Sequence, residues 1–230
     1  MTPAITPAIA TVYADDALLV LDKPPGLLSV PGRGPDKQDC LAARVQAQFP
    51  DALVVHRLDM ATSGLLVMAR GAAHQRTLSQ AFAAQQVDKR YRAVVTGRLI
   101  SRTADPQGWN QVDLPIAADW PRRPLRKIDF VQGKPSITRW RVLNPAKTTP
   151  HLQPQASADT TRVELAPLTG RTHQLRLHMQ ALGHPIVGDG LYACEDLKAL
   201  APRLLLHACG LLLAHPATGE KMQFFSAPAF

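Results

Sequence analysis

Apolar residues along this chain fall in short runs, each closed by glycine, proline or a cluster of polar positions. Residues 17–22 (ALLVLD) form an apolar run that stops at Lys23-Pro-Pro-Gly26 and predict a short strand. Residues 53–58 and 64–69 predict two strands around a turn. Residues 90–96 are β-rich and end at Gly97, and residues 137–143 and 162–166 predict further strands. A long apolar segment occupies 204–213, and 221–225 predict a last short strand. Two segments are helical in character. Residues 72–86 are rich in helix formers, and 172–182 have Thr172 as an N-cap and Gly183 as a C-terminal stop. Successive strands mostly lack helical crossovers, so the pattern predicts a single α+β domain on a mixed, mainly antiparallel sheet with flanking helices. Residues 28–39 and the Pro- and Ala-rich 145–159 predict surface loops.

Composition narrows the class. The chain has 230 residues and is 46% hydrophobic, ample for a core and unlike a disordered segment. No stretch approaches the roughly 18–20 apolar residues of a membrane span, and the N-terminus lacks the basic and apolar regions of a secretory signal. Cys40, Cys194 and Cys209 are odd in number and widely spaced, which argues against a disulfide framework and a zinc site and for the reducing cytoplasm. The net charge of +8 is compatible with a polyanionic partner without identifying one. That charge is local. Seven basic residues and two acids lie between 119 and 141, opening with DWPRRPLRKID, where Pro121 and Pro124 forbid regular helix. Arg122, Arg123, Arg126 and Lys127 are therefore candidate phosphate contacts on a stiff loop, with a solvated surface loop as the plain alternative.

Three segments carry candidate chemistry. In VHRLDMATSGL, residues 55–65, Asp59 follows a strand and precedes a turn, with His56 and Arg57 beside it. A carboxylate among cations stays ionised and can act as nucleophile or base; it can equally be a turn aspartate in an ion pair. In LTGRTHQLRLH, residues 168–178, helical spacing puts His173 and Arg176 on one face and Leu175, Met179 and Leu182 on another. Arg176 can reach an acid elsewhere, or remain an ordinary surface arginine. In DKRYRAV, residues 88–94, Tyr91 is one of three tyrosines and sits among basic residues, suited to stacking on a base or to a core position. His173 and His178 are five apart and His56 has no partner at i+4, so no metal site is read. Phosphate-loop, dinucleotide and nucleophile-elbow patterns are absent.

Taken together, these segments resemble the RluA-type family of RNA pseudouridine synthases. The resemblance runs through LDKPPGLLSVPG, HRLDMATSGLLVMAR, KRYRAVVTG, TGRTHQLRLHMQALGHPIVGDGLY and RLLLHA, nearly the whole chain. VDLPIAADWPRRP, with only about 20 residues ahead of LDKPPG, points to the short branch without an S4-type RNA-binding domain. The resemblance implies the pseudouridine synthase fold with a central basic cleft. It implies isomerisation of uridines in a tRNA anticodon stem-loop and a 23S rRNA loop by a monomeric enzyme that needs no cofactor. A member acting on one RNA, or an idle RNA-binding module, are the rival readings. By position, Asp59 matches the catalytic aspartate, Tyr91 the tyrosine against the target base, and Arg176 the arginine paired with the catalytic acid. Arg57 matches the residue that fills the helix stack when the base is flipped. Leu205 or Leu206 matches an apolar wall of the uracil pocket. His56, His173 and Arg171 join the substrate-binding set.

Overall fold

The apolar runs become strands in a computed structural model that describes residues 9–101, 105–143 and 159–230. In chain order the strands are β1 (Ala10–Ala14), β2 (Leu18–Lys23), β3 (Ala52–Val54), β4 (Ser63–Arg70), β5 (Asp88–Thr96) and β6 (Asn110–Asp113). They continue with β7 (Ile116–Ala118), β8 (Arg126–Ile128), β9 (Ile137–Val142), β10 (Thr160–Pro167), β11 (Leu206–Ala214) and β12 (Lys221–Phe225). The helices are α1 (Leu41–Gln46), α2 (Gly71–Ala83), α3 (Gln174–Ala181) and α4 (Glu195–Lys198). The chain divides into two compact units, one running to Val87 and including Gly210–Ser226, the other Asp88–Cys209 with Ala227–Phe230.

In the first unit, β2 pairs antiparallel with both β1 and β4, β3 pairs with β4, and β12 pairs with β11. Leu18, Val20, Leu65, Val67, Ala69, Leu211 and Leu213 pack on one side with Leu78 of α2. The alternate residues Leu19, Leu21, Leu66 and Met68 are buried as well. Burial on both faces explains why these strands read as unbroken apolar runs rather than alternating ones. The expected strand over 53–58 stops at Val54. Beyond it the chain leaves β4 because its backbone groups bond to residues 23–29 instead. The expected helix over 72–86 ends at Ala83, and Gln85 takes a positive φ of 59°. The predicted loop over 28–39 contains a short 3-10 turn, Pro35–Lys37, and Cys40 then caps α1, its Sγ accepting from Ala43 N at 3.4 Å.

In the second unit, β5 pairs antiparallel with β10, β10 with β9, and β9 with β6, while β7 and β8 form a separate hairpin. Val94 of β5 is a junction. Its N–H donates to Leu205 O at 3.1 Å, and its carbonyl accepts from Val187 N at 2.9 Å. Val94, Val187, Ala201, Leu205 and Phe230 pack together there. Helix α3 starts at Gln174 with His173 as N-cap in the left-handed region, so Thr172 does not cap it. The reason is Gln174 itself. Its Oε1 accepts from Arg171 N at 3.0 Å and Thr169 Oγ1 at 2.7 Å, closing the preceding turn with a side chain from inside the helix. The stop at Gly183 holds. Gly183 N donates to Gln180 O and His184 N to Met179 O, both at 2.9 Å, the paired bonds of a Schellman cap. Apart from Asp159, the segment 145–159 lies outside the described residues.

Candidate active site

Asp59 lies in the first unit, half-buried on a loop that residues 23–29 clamp from both sides. Before it, Ser29 Oγ donates to Leu58 O at 2.8 Å and accepts from Leu58 N at 3.1 Å. After it, Met60 O accepts from Gly26 N at 2.8 Å and from Lys23 Nζ at 3.1 Å. Thr62 N closes the turn onto Asp59 O at 3.0 Å. One remote segment thus sets the backbone on both sides of one carboxylate.

Lys23 is fully buried and also donates to the carbonyls of Pro24 at 2.8 Å and Leu27 at 2.9 Å. Burial lowers its pKa to about 8, against the opposing pull of the Asp59 charge, which favours the ammonium. Lys23 lies within LDKPPG, a motif that by itself assigns it no role. The signal was available: a Lys inside an apolar run, before Pro-Pro, is a charge that needs partners.

Around Asp59, Arg57 is exposed and Leu58 buried. The His56 ring stacks on Phe82 of α2 at 4.4 Å, and its Nε2 accepts from Val67 N of β4 at 2.9 Å. That bond requires Nε2 to be unprotonated and ties the HRLD turn to the strand it precedes.

Tyr91 and Arg176 belong to the second unit. Tyr91 sits half-buried on β5 opposite Leu165 of β10. Neighbouring Lys89 has its pKa lowered by burial, with Asp88 opposing. Arg176 is buried on α3 and holds Asp189 in a bidentate pair, Nε to Oδ2 at 2.8 Å and Nη2 to Oδ1 at 2.6 Å. Asp189 Oδ1 accepts in addition from Leu191 N at 2.9 Å and Tyr192 N at 3.2 Å. The GDG turn that carries this aspartate needs its first glycine. Gly188 has φ +72°, and a Cβ there would lie 2.0 Å from Arg203 O. Asp189 is the acid that sequence reasoning missed; only a motif context, not a local pattern, could have flagged it.

The rest of GRTHQLRLH anchors α3. Gln174 Nε2 donates to Ile137 O at 3.0 Å and Thr138 Oγ1 at 2.9 Å. His178, fully buried, sits 2.9 Å from Thr138 Oγ1 and 3.0 Å from Leu114 O. Thr138 accepts from Gln174, so its proton goes to His178 Nδ1, and Nε2–H donates to Leu114. Burial lowers the His178 pKa and keeps it neutral. His173 Nδ1 is 2.8 Å from Tyr192 Oη, which also accepts from Arg126 N at 2.9 Å. Arg171 is exposed, its Nε donating to Pro135 O at 3.3 Å.

The basic run divides in two. Arg122, Arg123, Arg126 and Lys127 lie on the β7–β8 hairpin. Arg139 and Arg141 stand on β9 against the Trp109 ring, and Arg141 pairs with Glu164 at 2.5 Å. Leu205 and Leu206 are both buried, with Leu205 in the Val94 cluster. Among the described residues no three or more His, Cys, Asp or Glu side chains are grouped to hold a metal ion. Nor is any helix among them long and apolar enough to cross a membrane.

Residues 17–181 match the model of a family described as RNA pseudouridylate synthase. The dual-specificity RNA pseudouridine synthase RluA of Escherichia coli strain K12 is 45% identical over 227 residues, 99% of this chain and 96% of that one. The protein of that name from Pasteurella multocida is 44% identical over 229 residues, covering 100% of this chain and 97% of that one. Among solved structures, human RNA Pseudouridylate Synthase Domain Containing 1 superposes with a TM-score of 0.74 at 29% identity, over 99% of this chain and 86% of that one.

Proposed function

The chain belongs to the RNA pseudouridylate synthase family, and from that premise we propose that it acts on two RNAs, a tRNA anticodon stem-loop and a loop of 23S rRNA. The reaction is an intramolecular isomerisation. The N1–C1′ bond of uridine breaks, the uracil turns, C5 joins C1′, C5 loses its proton and N1 gains one. A base inside a stem or loop must first be flipped into a pocket.

The observation that carries the assignment of roles is the clamp on Asp59. A reacting carboxylate must be held in one geometry, and Leu58 and Met60 on either side of it are fixed by residues 29 and 37 positions away. Asp59 is the acid that adds to uracil C6 or acts at the ribose. Tyr91 lies against the base and takes the C5 proton directly or through water. Arg176, itself held by Asp189, steadies the reacting carboxylate. Arg57, exposed beside Asp59, occupies the stack that the flipped base vacates. Leu206 is the apolar wall, since Leu205 is taken up by the Val94 cluster. His56 supports the turn, whereas His173, Arg171 and the hairpin cations hold the RNA. We place the enzyme in the cytoplasm as a monomer, which light scattering on the purified protein tests.

Asp59→Asn is expected to abolish tritium release from C5-labelled uridine in RNA while RNA binding stays near wild type. Retained turnover would overturn the assignment. Mapping pseudouridines in a deletion strain names the substrates. Loss from both RNAs supports dual specificity, and loss from one corrects it.

A further inference from the structure

The β7–β8 hairpin shows a feature that its charge does not explain. Trp120 is 67% exposed, Phe130 77% and Val131 92%, in a protein whose apolar side chains are otherwise mostly buried. These side chains are not on a loose tip. Ile116, Leu125 and Ile128 seat the hairpin against Leu177 and Tyr192. Beyond β8, Asp129 Oδ1 accepts from Val131 N at 3.0 Å and Gln132 N at 2.9 Å, and Gly133 N donates to Asp129 O at 2.9 Å. A Cβ on Gly133 would lie 2.2 Å from that same carbonyl, so the turn is close-packed around a residue without a side chain. Phe130 and Val131 are therefore displayed from a fixed turn.

The other end of the hairpin is fixed by Asp119. Its buried carboxylate pairs with Arg122 at 2.6 Å, and its N–H donates to Leu125 O at 3.1 Å. Arg123 lies over the Trp120 ring, 3.5 Å from guanidinium carbon to centroid. Residues 115–134 hold five basic and two acidic side chains, and both acids are engaged, Asp119 by Arg122 and Asp129 by Lys127. The field around the exposed rings is positive.

We propose that this hairpin is a stacking clamp for unpaired nucleotides other than the target. Trp120, backed by Arg123, takes one base and Phe130 a second, with the neighbouring cations on the phosphates between. Exposed aromatic rings beside guanidinium groups bind single strands through stacking that every base can make. A positive, rigid surface favours RNA over a protein partner here. The clamp rests on the pseudouridine synthase reading and deepens it. Stacking is tolerant of sequence, so two such platforms give one enzyme a grip on two loops that need not share flanking bases.

The test uses the full-length enzyme with two probes, an anticodon stem-loop RNA and a 23S rRNA loop fragment. Kd is measured across a salt series and single-turnover pseudouridine formation at saturating RNA. Trp120→Ala and Phe130→Ala are each expected to raise Kd about ten-fold for both RNAs. The slope of log K against log salt and the saturated rate are expected to stay at wild type, because no phosphate contact and no reacting group is lost. Trp120→Phe and Phe130→Tyr are expected to restore most of the affinity. Wild-type turnover with unchanged Kd in both alanine variants overturns the clamp alone, as does a failure of the aromatic replacements to rescue. A change confined to self-association assigns the surface to protein and also overturns it. A wild-type enzyme that forms no pseudouridine in either RNA overturns the functional reading and the clamp with it.

Discussion

Lys23 is a charge with no solvent exposure, and its titration separates two effects that usually move together. Burial lowers its pKa from 10.5 to about 8. Between those values the unfolded chain keeps a proton that the folded chain has lost, so this residue's contribution to stability rises with pH across the window. Its contribution to activity runs the other way. The ammonium stands in the field of Asp59 and bonds the Met60 carbonyl, and above pH 8 that charge is gone. The pH profile of kcat/KM is expected to show an alkaline limb near pH 8. In Lys23→Met the limb should vanish at a lower plateau, with RNA affinity near wild type. A limb that persists unchanged in the variant would place its origin elsewhere.

Helix α3 shows what one glutamine does for an element. Gln174 makes four hydrogen bonds, to Thr169, Arg171, Ile137 and Thr138. Gln174→Leu strands those partners in the interior and is expected to cost about 2–4 kcal/mol in urea unfolding, each stranded group costing about 1–3 at most. Thr172→Ala, at the expected cap, should stay within about 0.5 kcal/mol. The contrast explains what was legible. Strands β2, β5 and β12 are plain in the sequence because each is a run of strand-forming residues bounded by turn signals or chain context. The Gly183 stop is plain because its cause is local. Strand β1 is missed because it is nearly all exposed, and β6, β7 and β8 because three or four residues carry no period of their own. The same division holds at the site. Asp59 stands out as an acid on a turn among cations. Lys23 and Ser29 do not declare their part, since their work is done 37 and 29 residues away in sequence, and Asp189 is visible only as the partner of Arg176.

Over the whole molecule, the 26 lysines and arginines are not all available to RNA. Arg141 is spent on Glu164, Arg70 on Asp51 and Arg44 on Asp39. Arg123 and Lys127 of the hairpin are exposed on a fixed element, and Lys127 keeps 47% of its side chain in solvent although it pairs with Asp129. Replacing both with alanine is expected to weaken binding of either RNA and to flatten the salt slope by about one unit per lost phosphate contact; an unchanged slope would remove the hairpin cations from the interface. The cysteines raise a different matter. Cys40 is buried at the start of α1. Cys209 is buried with its thiol donating to Arg90 O, and burial pushes its pKa up to about 11. Cys194, just ahead of α4, is exposed. An alkylating reagent at neutral pH should therefore add one label per native chain and three after denaturation, counted by mass spectrometry. A fluorophore can be attached at one known position of the unaltered protein, giving RNA encounter an optical signal without any engineered residue.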